Sequence, residues 1–208
     1  SPCKTLSGAG VAFKLAAALD GCTPDEMLPF YGDLAAIGTI ADIMLLEGEN
    51  RRIVKAGLAL LQQTERPGIA ALIETCGLGG KELTAENVSF GLAPRLNAAG
   101  RMDSAAAALE LLLCEDPEEA EAIVAGLEAQ NAARQKAEQD ILQGVLDSVA
   151  ADETYGADRI LVVWGRGYHQ GVIGIVASRV VERFGKPAII VSVDENGEGK
   201  GSGRSIAG

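Results

Sequence analysis

The sequence predicts an α/β protein in which helices come first and a small sheet comes last. Apolar residues recur at helical spacing from residue 8 onward, and Gly or Pro punctuates the segments. A long, mostly polar stretch then follows a helix start signal at Pro117. From residue 159 the period changes to short β-branched runs on either side of one amphipathic segment, which predicts a strand–helix–strand unit.

Four helices are predicted in the first part of the chain. "GAGVAFKLAAAL" (8–19) ends at an Asp-Gly pair, and Pro24 suits the first turn of the next helix. Segment 48–64 is amphipathic, and segment 66–77 begins with a proline and ends at Gly77. These signals indicate a bundle of short helices.

The next two helices have less regular start signals. Segment 85–102 is helical in pattern, but Pro94 is expected to break or kink it because proline lacks an amide hydrogen. Asp103 or Ser104 is expected to cap the helix "AAAALELLL", since both side chains accept hydrogen bonds from first-turn amides.

Segment 116–150 is predicted to be one long helix. Large apolar side chains occur near both of its ends, but none occurs between residues 128 and 140. A helix that is polar on all sides in its middle is typical of a connection between two bodies through solvent. We therefore expect a connecting helix, and a plain surface helix is the alternative.

The last part of the chain predicts a small sheet. Strands are expected at 159–164 and 188–193, with a helix at 172–185 between them. Such a unit has parallel strands and a right-handed crossover. "KGSGRSIA" would then return as an antiparallel strand.

Composition restricts the function classes. The chain has 208 residues, 48% of them apolar, which suffices for one large domain or two small ones. No apolar run reaches the roughly 18 residues of a membrane span, and no signal peptide opens the chain, so we expect a cytoplasmic protein without a membrane partner. Four separated cysteines without a CxxC pair predict reduced thiols, and a single histidine excludes a His-rich zinc site.

Charge is distributed unevenly along the chain. The net charge is −11, which argues against a general nucleic-acid coat. Residues 115–153 carry 2 basic and 11 acidic side chains, whereas residues 154–208 carry 7 and 5. The mildly basic end of the chain is therefore compatible with a bound phosphate.

The final stretch "GKGSGRSIAG" (199–208) has the composition of an anion cradle. Glycines allow a ligand to approach the backbone closely, Ser202 and Ser205 supply hydroxyls, and Arg204 matches phosphate oxygens in a bidentate way. The alternative is a glycine-rich hairpin at a sheet edge.

Further candidate residues are single polar side chains in short motifs. His169 in "GRGYHQG" precedes a helix, where amides and the helix dipole favour an anion, although a structural histidine is the alternative. Asp42 in "GTIADI" is either a metal ligand or a helix-end residue. Asn97 and Arg101 lie four residues apart and either face a cleft or tie the helix end to a neighbour.

Together, these motifs resemble the RecJ family of single-strand-specific 5′→3′ DNA exonucleases, within the DHH phosphoesterase superfamily. "GTIADI", "APRLNAAGRM", "YHQGVIGIVASRV" and "GSGRS" occur in the order seen in that family, and "GAGVAFKLA" and "LEAQNAARQKAEQDI" also fit. The resemblance covers nearly the whole chain. It departs from the family in lacking the DxD and DHH motifs of the catalytic half, and in ending before the later GGH-type segment.

The resemblance implies an internal fragment with three parts. They are the C-terminal part of a DHH domain and a helical region (1–114), a connecting helix (115–151) and a partial DHHA1 domain (152–208). It implies that Asp42 supplies one carboxylate to a two-metal Mn²⁺ or Mg²⁺ centre. It also implies contacts with the 5′ phosphate or the backbone of single-stranded DNA from Ser202, Arg204, Ser205, His169, Arg101 and Asn97.

The family's role implies DNA repair and recombination, with a helicase or single-strand-binding protein as a further partner. The fragment alone is expected to be inactive because its metal centre is incomplete. Three alternatives remain at this point: a phosphoesterase of short oligonucleotides or cyclic dinucleotides, a non-catalytic phosphate- or single-strand-binding module, and a helical scaffold that binds protein.

Overall fold

The structure is a computed structural model that describes residues 3–151 and 158–206. In residues 3–151 the regular elements are helices, as the sequence predicts. The α-helices there are α1 (Gly8–Leu19), α2 (Pro24–Ala41), α3 (Gly48–Gln62), α4 (Pro67–Thr75), α5 (Ala85–Asn87), α6 (Ala93–Met102), α7 (Ala106–Leu113) and α8 (Pro117–Ala151). After the gap come β1 (Leu161–Arg166), α9 (Ile173–Phe184), β2 (Ala188–Val193) and β3 (Gly199–Arg204). The predicted fold class is confirmed.

The three strands form one mixed sheet in the order β1-β2-β3. β1 and β2 are parallel, with Leu161 opposite Ala188. β2 and β3 are antiparallel, with Val193 opposite Gly199. Both predicted relationships are confirmed, and α9 packs against the sheet through a row of buried aliphatic side chains.

The described residues divide into two compact units. The first contains the chain up to Ala99 together with Ser104–Glu128, and the second contains Gly100–Asp103 and the chain from Ala129 onward. Each unit has its own hydrophobic core. The division falls within α8, and the expected boundary at residue 151 borders on residues 152–157, which lie outside the described residues.

Pro94 distorts its helix without ending it. The chain forms a π-helical turn at Val88–Leu92, in which the amide of Ala93 bonds to the carbonyl of Val88, and α6 continues through the proline. The wider turn removes the clash that a proline ring makes with the carbonyl four residues earlier. Of the two alternatives for Pro94, the break is therefore the one that does not occur.

The cap of α7 differs from the prediction. Ala105, and neither Asp103 nor Ser104, is the N-cap residue, and it has no side-chain cap hydrogen bond. Ser104 still compensates in part, because its Oγ accepts a hydrogen bond from the Ala106 amide at 3.2 Å. By contrast, the Oδ1 of Asp116 caps α8 by accepting from Glu118 and Glu119.

The middle of α8 is not solvated on all sides, and that part of the expectation was wrong. Asn131 is 3% exposed and Glu138 is 4% exposed. Polar side chains fill these inward-facing positions, which explains why the sequence shows no apolar stripe there. Separately, no helix among the described residues has the length and apolar character needed to cross a bilayer.

Candidate phosphate-binding site

Alternate residues of β3 place polar side chains on the face that α9 covers. Ser202 is opposite Ile190 and Arg204 is opposite Ala188, and both of these β2 residues are fully buried in the core beneath α9. Because side chains alternate across a sheet, Ser202, Arg204 and also Lys200 belong to the α9 side. The strand therefore presents a basic–hydroxyl–basic row at the sheet edge.

The alternating glycines of β3 face the opposite side of the sheet. A β-carbon on Gly199 would lie 3.1 Å from Val191 Cγ1, and one on Gly201 would lie 3.3 Å from Val191 Cγ2. These glycines make room for a β-branched neighbour on β2. The expectation that the glycines of this stretch let a ligand approach the backbone closely stays a prediction.

Ser202 and Arg204 converge on the first turn of α9 at Gly174. A β-carbon on Gly174 would lie 3.1 Å from both Ser202 Oγ and Arg204 Nη2. Nη1 of Arg204 also donates to Ser202 Oγ at 3.2 Å and to the Gly203 carbonyl at 2.8 Å. The hydroxyl and the guanidinium thus lie beside a helix N-terminus, where the helix dipole is positive.

The loop before α9 is held by His169. Its carbonyl accepts from the amides of Val172 and Ile173, at 2.9 and 3.2 Å. Its Nδ1 accepts from the Gly171 amide at 3.2 Å. Since Nδ1 is the acceptor, a neutral His169 carries its proton on Nε2, and this N–H remains available as a donor.

Arg101, at the end of α6, lies against the same loop. Its Nη1 donates to the Gly171 carbonyl at 3.3 Å. A β-carbon on Gly171 would lie only 2.0 Å from the Arg101 carbonyl oxygen, so the two backbones meet closely enough to require glycine. The exposed guanidinium of Arg101 keeps further donors for a ligand.

An open groove lies at the carboxyl ends of the parallel strands β1 and β2, the edge at which α/β sheets bind ligands. Its volume is about 1060 Å³, and all its lining residues belong to the second unit. Arg101, Arg166 and His169 supply positive or hydrogen-donating groups, whereas the acidic groups in the lining are Asp103, Asp194 and Glu195. The lining of the groove is therefore of mixed charge.

Tyr168 anchors the wall of this groove. Its ring occupies the space that a β-carbon on Gly165 would need, and its hydroxyl lies 3.0 Å from where a β-carbon on Gly144 would be. Ser192 Oγ donates to the Tyr168 carbonyl at 2.5 Å. Burial raises the pKa of the Tyr168 phenol above its ordinary value, because the charged form is poorly solvated there.

A buried ion network joins α8 to α9. Glu138 on α8 accepts from Arg134 Nη1 at 2.7 Å and pairs with Arg179 of α9. Arg134 Nη2 also donates to Asn131 Oδ1 at 2.7 Å. The carboxylate side chain is 5% exposed, so this network fixes α9, and with it Gly174, against the long helix.

Asp42 lies in the first unit, at the C-cap position of α2. Its exposed carboxylate has no hydrogen-bond or ion-pair partner within the described part of the chain. An oxygen donor of this kind suits Mg²⁺ or Mn²⁺ as one ligand. Residues 3–151 and 158–206 contain no group of three His, Cys, Asp or Glu side chains that could hold a metal by itself.

The structure brings four of the six predicted nucleic-acid residues into one region. Arg101, His169, Ser202 and Arg204 all lie around the start of α9 in the second unit. Asn97 is exposed on α6 and belongs to the first unit. Ser205 follows the end of β3, and its Oγ donates a hydrogen bond to the Ile206 carbonyl. The sequence analysis missed Gly174, Arg166 and Lys200. For Lys200 a signal was available, because side chains alternate along a strand and Lys200 therefore shares a face with Ser202 and Arg204.

Comparison with known proteins identifies similar sequences. Residues 157–208 match the DHHA1 domain family. The whole chain aligns with the single-stranded-DNA-specific exonuclease RecJ of Bacillus subtilis at 47% identity and with that of Escherichia coli at 37% identity. The chain is related to RecJ over its whole length. It spans 26% and 38% of these two RecJ proteins, so it corresponds to one part of them.

Solved RecJ structures share the fold. RecJ from Thermus thermophilus in complex with Mg²⁺ matches with a TM-score of 0.80 and 41% identity over 96% of this chain and 30% of that one. An exonuclease RecJ bound to manganese matches with the same TM-score, at 40% identity over 97% of this chain and 49% of the other. Both relatives thus bind a divalent metal of the kind that Asp42 suits.

Proposed function

We propose that this chain is the part of a single-strand-specific 5′→3′ DNA exonuclease that holds the 5′ end of the strand. The observation that carries the proposal is the convergence of Ser202 and Arg204 on the first turn of α9. The relationship to RecJ exonucleases supplies the class of reaction, which is phosphodiester hydrolysis by the complete protein.

The cluster has the chemistry of a terminal phosphate site. Arg204 can offer two parallel N–H donors to two phosphate oxygens, and Ser202 can offer a hydroxyl to the third. Gly174 places no side chain between the first turn of α9 and these two groups, so a bound anion would lie near the positive end of the helix dipole. A terminal phosphate carries more charge than an internal phosphodiester, and this site would favour it.

The groove at the loop before α9 would take the nucleotides that follow. His169 Nε2 and the guanidiniums of Arg101 and Arg166 are donors suited to backbone oxygens. The acidic side chains in the lining would keep the contact local, because they repel a strand that runs along the whole groove. Contacts with backbone and splayed bases favour a single strand over a duplex.

Asp42 would contribute one carboxylate to a centre of two Mn²⁺ or Mg²⁺ ions, with its other ligands coming from residues beyond this chain. When bound, the metals would activate water and stabilise the leaving oxygen. This chain supplies the exposed carboxylate of Asp42 at the C-terminal end of α2. We therefore expect no nuclease activity from the 208 residues alone.

The remaining assignments follow from the proposed activity. Residues 1–114 would be the end of a DHH domain with its helical region, 115–151 the connecting helix and 152–208 part of a DHHA1 domain. A 5′→3′ exonuclease of this kind would act in DNA repair and recombination in the cytoplasm. A helicase or single-strand-binding protein would expose its substrate.

Binding of oligonucleotides to the 208-residue chain tests the phosphate site. A fluorescent single strand with a 5′ phosphate should bind more tightly than the same strand with a 5′ hydroxyl, and the difference should shrink in Arg204→Ala. Arg183→Ala, which removes an arginine from the opposite end of α9, is the matched control. Equal binding of both strands by the unaltered chain would contradict the proposed site.

One alternative is favoured by a specific observation. The described residues hold no complete metal group, so the isolated chain would act as a phosphate- or single-strand-binding module. Incubation with Mn²⁺ and a labelled single strand distinguishes binding from hydrolysis. If nucleotides are released, and this activity co-elutes with the 208-residue chain during chromatography, the view that its metal centre is incomplete is refuted.

A further inference from the structure

The turn that follows Asp42 is held to the end of α2 by two backbone hydrogen bonds. The Ile43 amide donates to the Ile40 carbonyl at 3.0 Å, and the Met44 amide donates to the Thr39 carbonyl at 3.2 Å. This pair of bonds is the Schellman pattern, which ends a helix with one residue in the left-handed conformation. Asp42 is the residue immediately before that point.

The left-handed position is occupied by an unusual residue. Ile43 has a φ of 53°, a conformation in which glycine is normally found because a β-carbon crowds the backbone. Ile43 is also 86% exposed, so burial does not compensate for the unfavourable backbone. The turn therefore needs other contacts to stay in this form.

Asn50, in the first turn of α3, supplies such a contact. Its Nδ2 donates to the Leu45 carbonyl at 3.0 Å and to the Thr5 carbonyl at 2.7 Å. Asn50 is completely buried. The amide orientation is set by these partners, since two carbonyl oxygens both require a donor.

The other end of the Asn50 amide shows why asparagine occupies this position. Oδ1 of Asn50 is buried without a hydrogen-bond partner among the described residues, which is an unfavourable arrangement. An apolar side chain would remove that unsatisfied oxygen but would leave two carbonyls without a donor, and aspartate cannot donate at all when ionised. The two N–H donors of Nδ2 therefore explain why asparagine occupies position 50.

We propose that Asn50 is a positioning residue for Asp42. The Schellman bonds fix residues 43 and 44, and Asn50 fixes residue 45, so the backbone after Asp42 is held at three successive positions. Since the Asp42 carboxylate has no partner among the described residues, the backbone is what sets the direction of its Cα–Cβ bond and limits where the carboxylate can reach. The proposal rests on the metal-binding role proposed for Asp42.

The first experiment measures the turn itself, in the 208-residue chain. Asn50→Leu keeps the size of the side chain and removes both donors, and Asn50→Asp keeps the shape. Amide hydrogen exchange at Met44 should accelerate by about 5- to 10-fold in either variant, because one hydrogen bond that holds the turn is lost. Asn87→Ala, which removes a helix-capping side chain elsewhere in the first unit, should leave exchange at Met44 unchanged.

The second experiment measures Mn²⁺ binding in the complete protein, by the paramagnetic resonance signal of free Mn²⁺. Either Asn50 variant should weaken Mn²⁺ binding by about 10- to 100-fold, as changes in the partners behind metal ligands do. The kcat at low Mn²⁺ should fall and recover at saturating Mn²⁺, with KM for DNA unchanged. A residue needed only for stability would lower the folded fraction, which circular dichroism detects, and would leave Mn²⁺ binding per folded molecule unchanged.

Asp42→Asn in the same assay separates the two proposals. If Asp42→Asn weakens Mn²⁺ binding and the folded Asn50 variants do not, Asn50 has no positioning role although the metal role of Asp42 stands. Unchanged Mn²⁺ binding in Asp42→Asn would show that the metal role is wrong, and the positioning proposal would fall with it. Weaker binding in all three variants, but not in Asn87→Ala, supports both.

Discussion

Arg204 donates a hydrogen bond from Nη1 to the hydroxyl of Ser202 at 3.2 Å, on the face of the sheet that α9 covers. The two side chains come from one strand, and both approach Gly174 in the first turn of α9. The hydroxyl and guanidinium are therefore already paired before a ligand binds. Such preorganisation reduces the entropy lost on binding.

Gly174→Ala should damage this pairing while the fold survives. The added methyl would lie 3.1 Å from both Ser202 Oγ and Arg204 Nη2, so one or both side chains must move. We expect the preference for a 5′-phosphorylated strand to fall several-fold, measured by fluorescence anisotropy. Gly126→Ala is the control, because nothing lies within 4 Å of its added carbon; it should keep the preference unchanged. A Gly174→Ala chain with full preference would mean that the first turn does not shape the site.

Glu138→Ala should destabilise the second unit strongly. It removes the carboxylate that Arg134 and Arg179 share and leaves buried positive charge, at a cost of about 3–5 kcal/mol. Arg179→Ala should cost about 1 kcal/mol or less, since that side chain is 56% exposed. The fluorescence of Trp164, the single tryptophan, reports urea unfolding of this unit. Equal costs for the two variants would show that burial of the carboxylate does not govern the network.

Ile43→Gly should stabilise the first unit. Glycine adopts the left-handed conformation freely, and the exposed isoleucine contributes little burial, so we expect a gain of about 1 kcal/mol in the free energy of unfolding. Ile43→Ala keeps the unfavourable β-carbon and should give no such gain. Thermal unfolding followed by circular dichroism measures both variants. A loss of stability in Ile43→Gly would indicate that the isoleucine side chain makes a stabilising contact.

Tyr168 should make the second unit sensitive to alkaline pH. Its pKa is raised by burial, so its stabilising contribution is complete below the ordinary tyrosine value of about 10 and is lost as pH rises through the higher folded value. Urea midpoints read from Trp164 should therefore begin to drop as the pH rises above about 10. In Tyr168→Phe the drop should be smaller, and the same substitution at the exposed Tyr31 controls for loss of a phenol. An identical drop in Tyr168→Phe would contradict this assignment.

Helix ends were predictable because single residues determine them. Gly77 has a φ of 66° and Gly185 a φ of 62°, and both end a predicted helix with the left-handed residue that glycine favours. Pro24 and Pro67 occupy first turns, where the missing amide hydrogen has no cost. These are local effects, and the sequence shows them directly.

The parts that sequence reasoning missed depend on contacts between distant segments. Gly174 is important because Ser202 and Arg204 reach it from another strand, and no spacing rule relates the two. From the sequence, Glu138 is expected at a solvated helix position. Its burial follows from the ion pair with Arg179, which comes from a distant helix. Register also decides which face of β3 carries the polar row, and the sequence of β3 alone leaves both faces open.

The most direct test of the proposed function is the 5′-end preference of the complete protein with Arg204→Ala. Degradation rates of one single-stranded oligonucleotide, with a 5′ phosphate and with a 5′ hydroxyl, would be compared in the unaltered protein, Arg204→Ala and the control Arg183→Ala. We predict that Arg204→Ala reduces the rate on the phosphorylated strand and leaves the rate on the hydroxyl strand nearly unchanged, while Arg183→Ala preserves both. An equal loss on both strands would assign Arg204 to general backbone contact and contradict the proposed 5′-phosphate site.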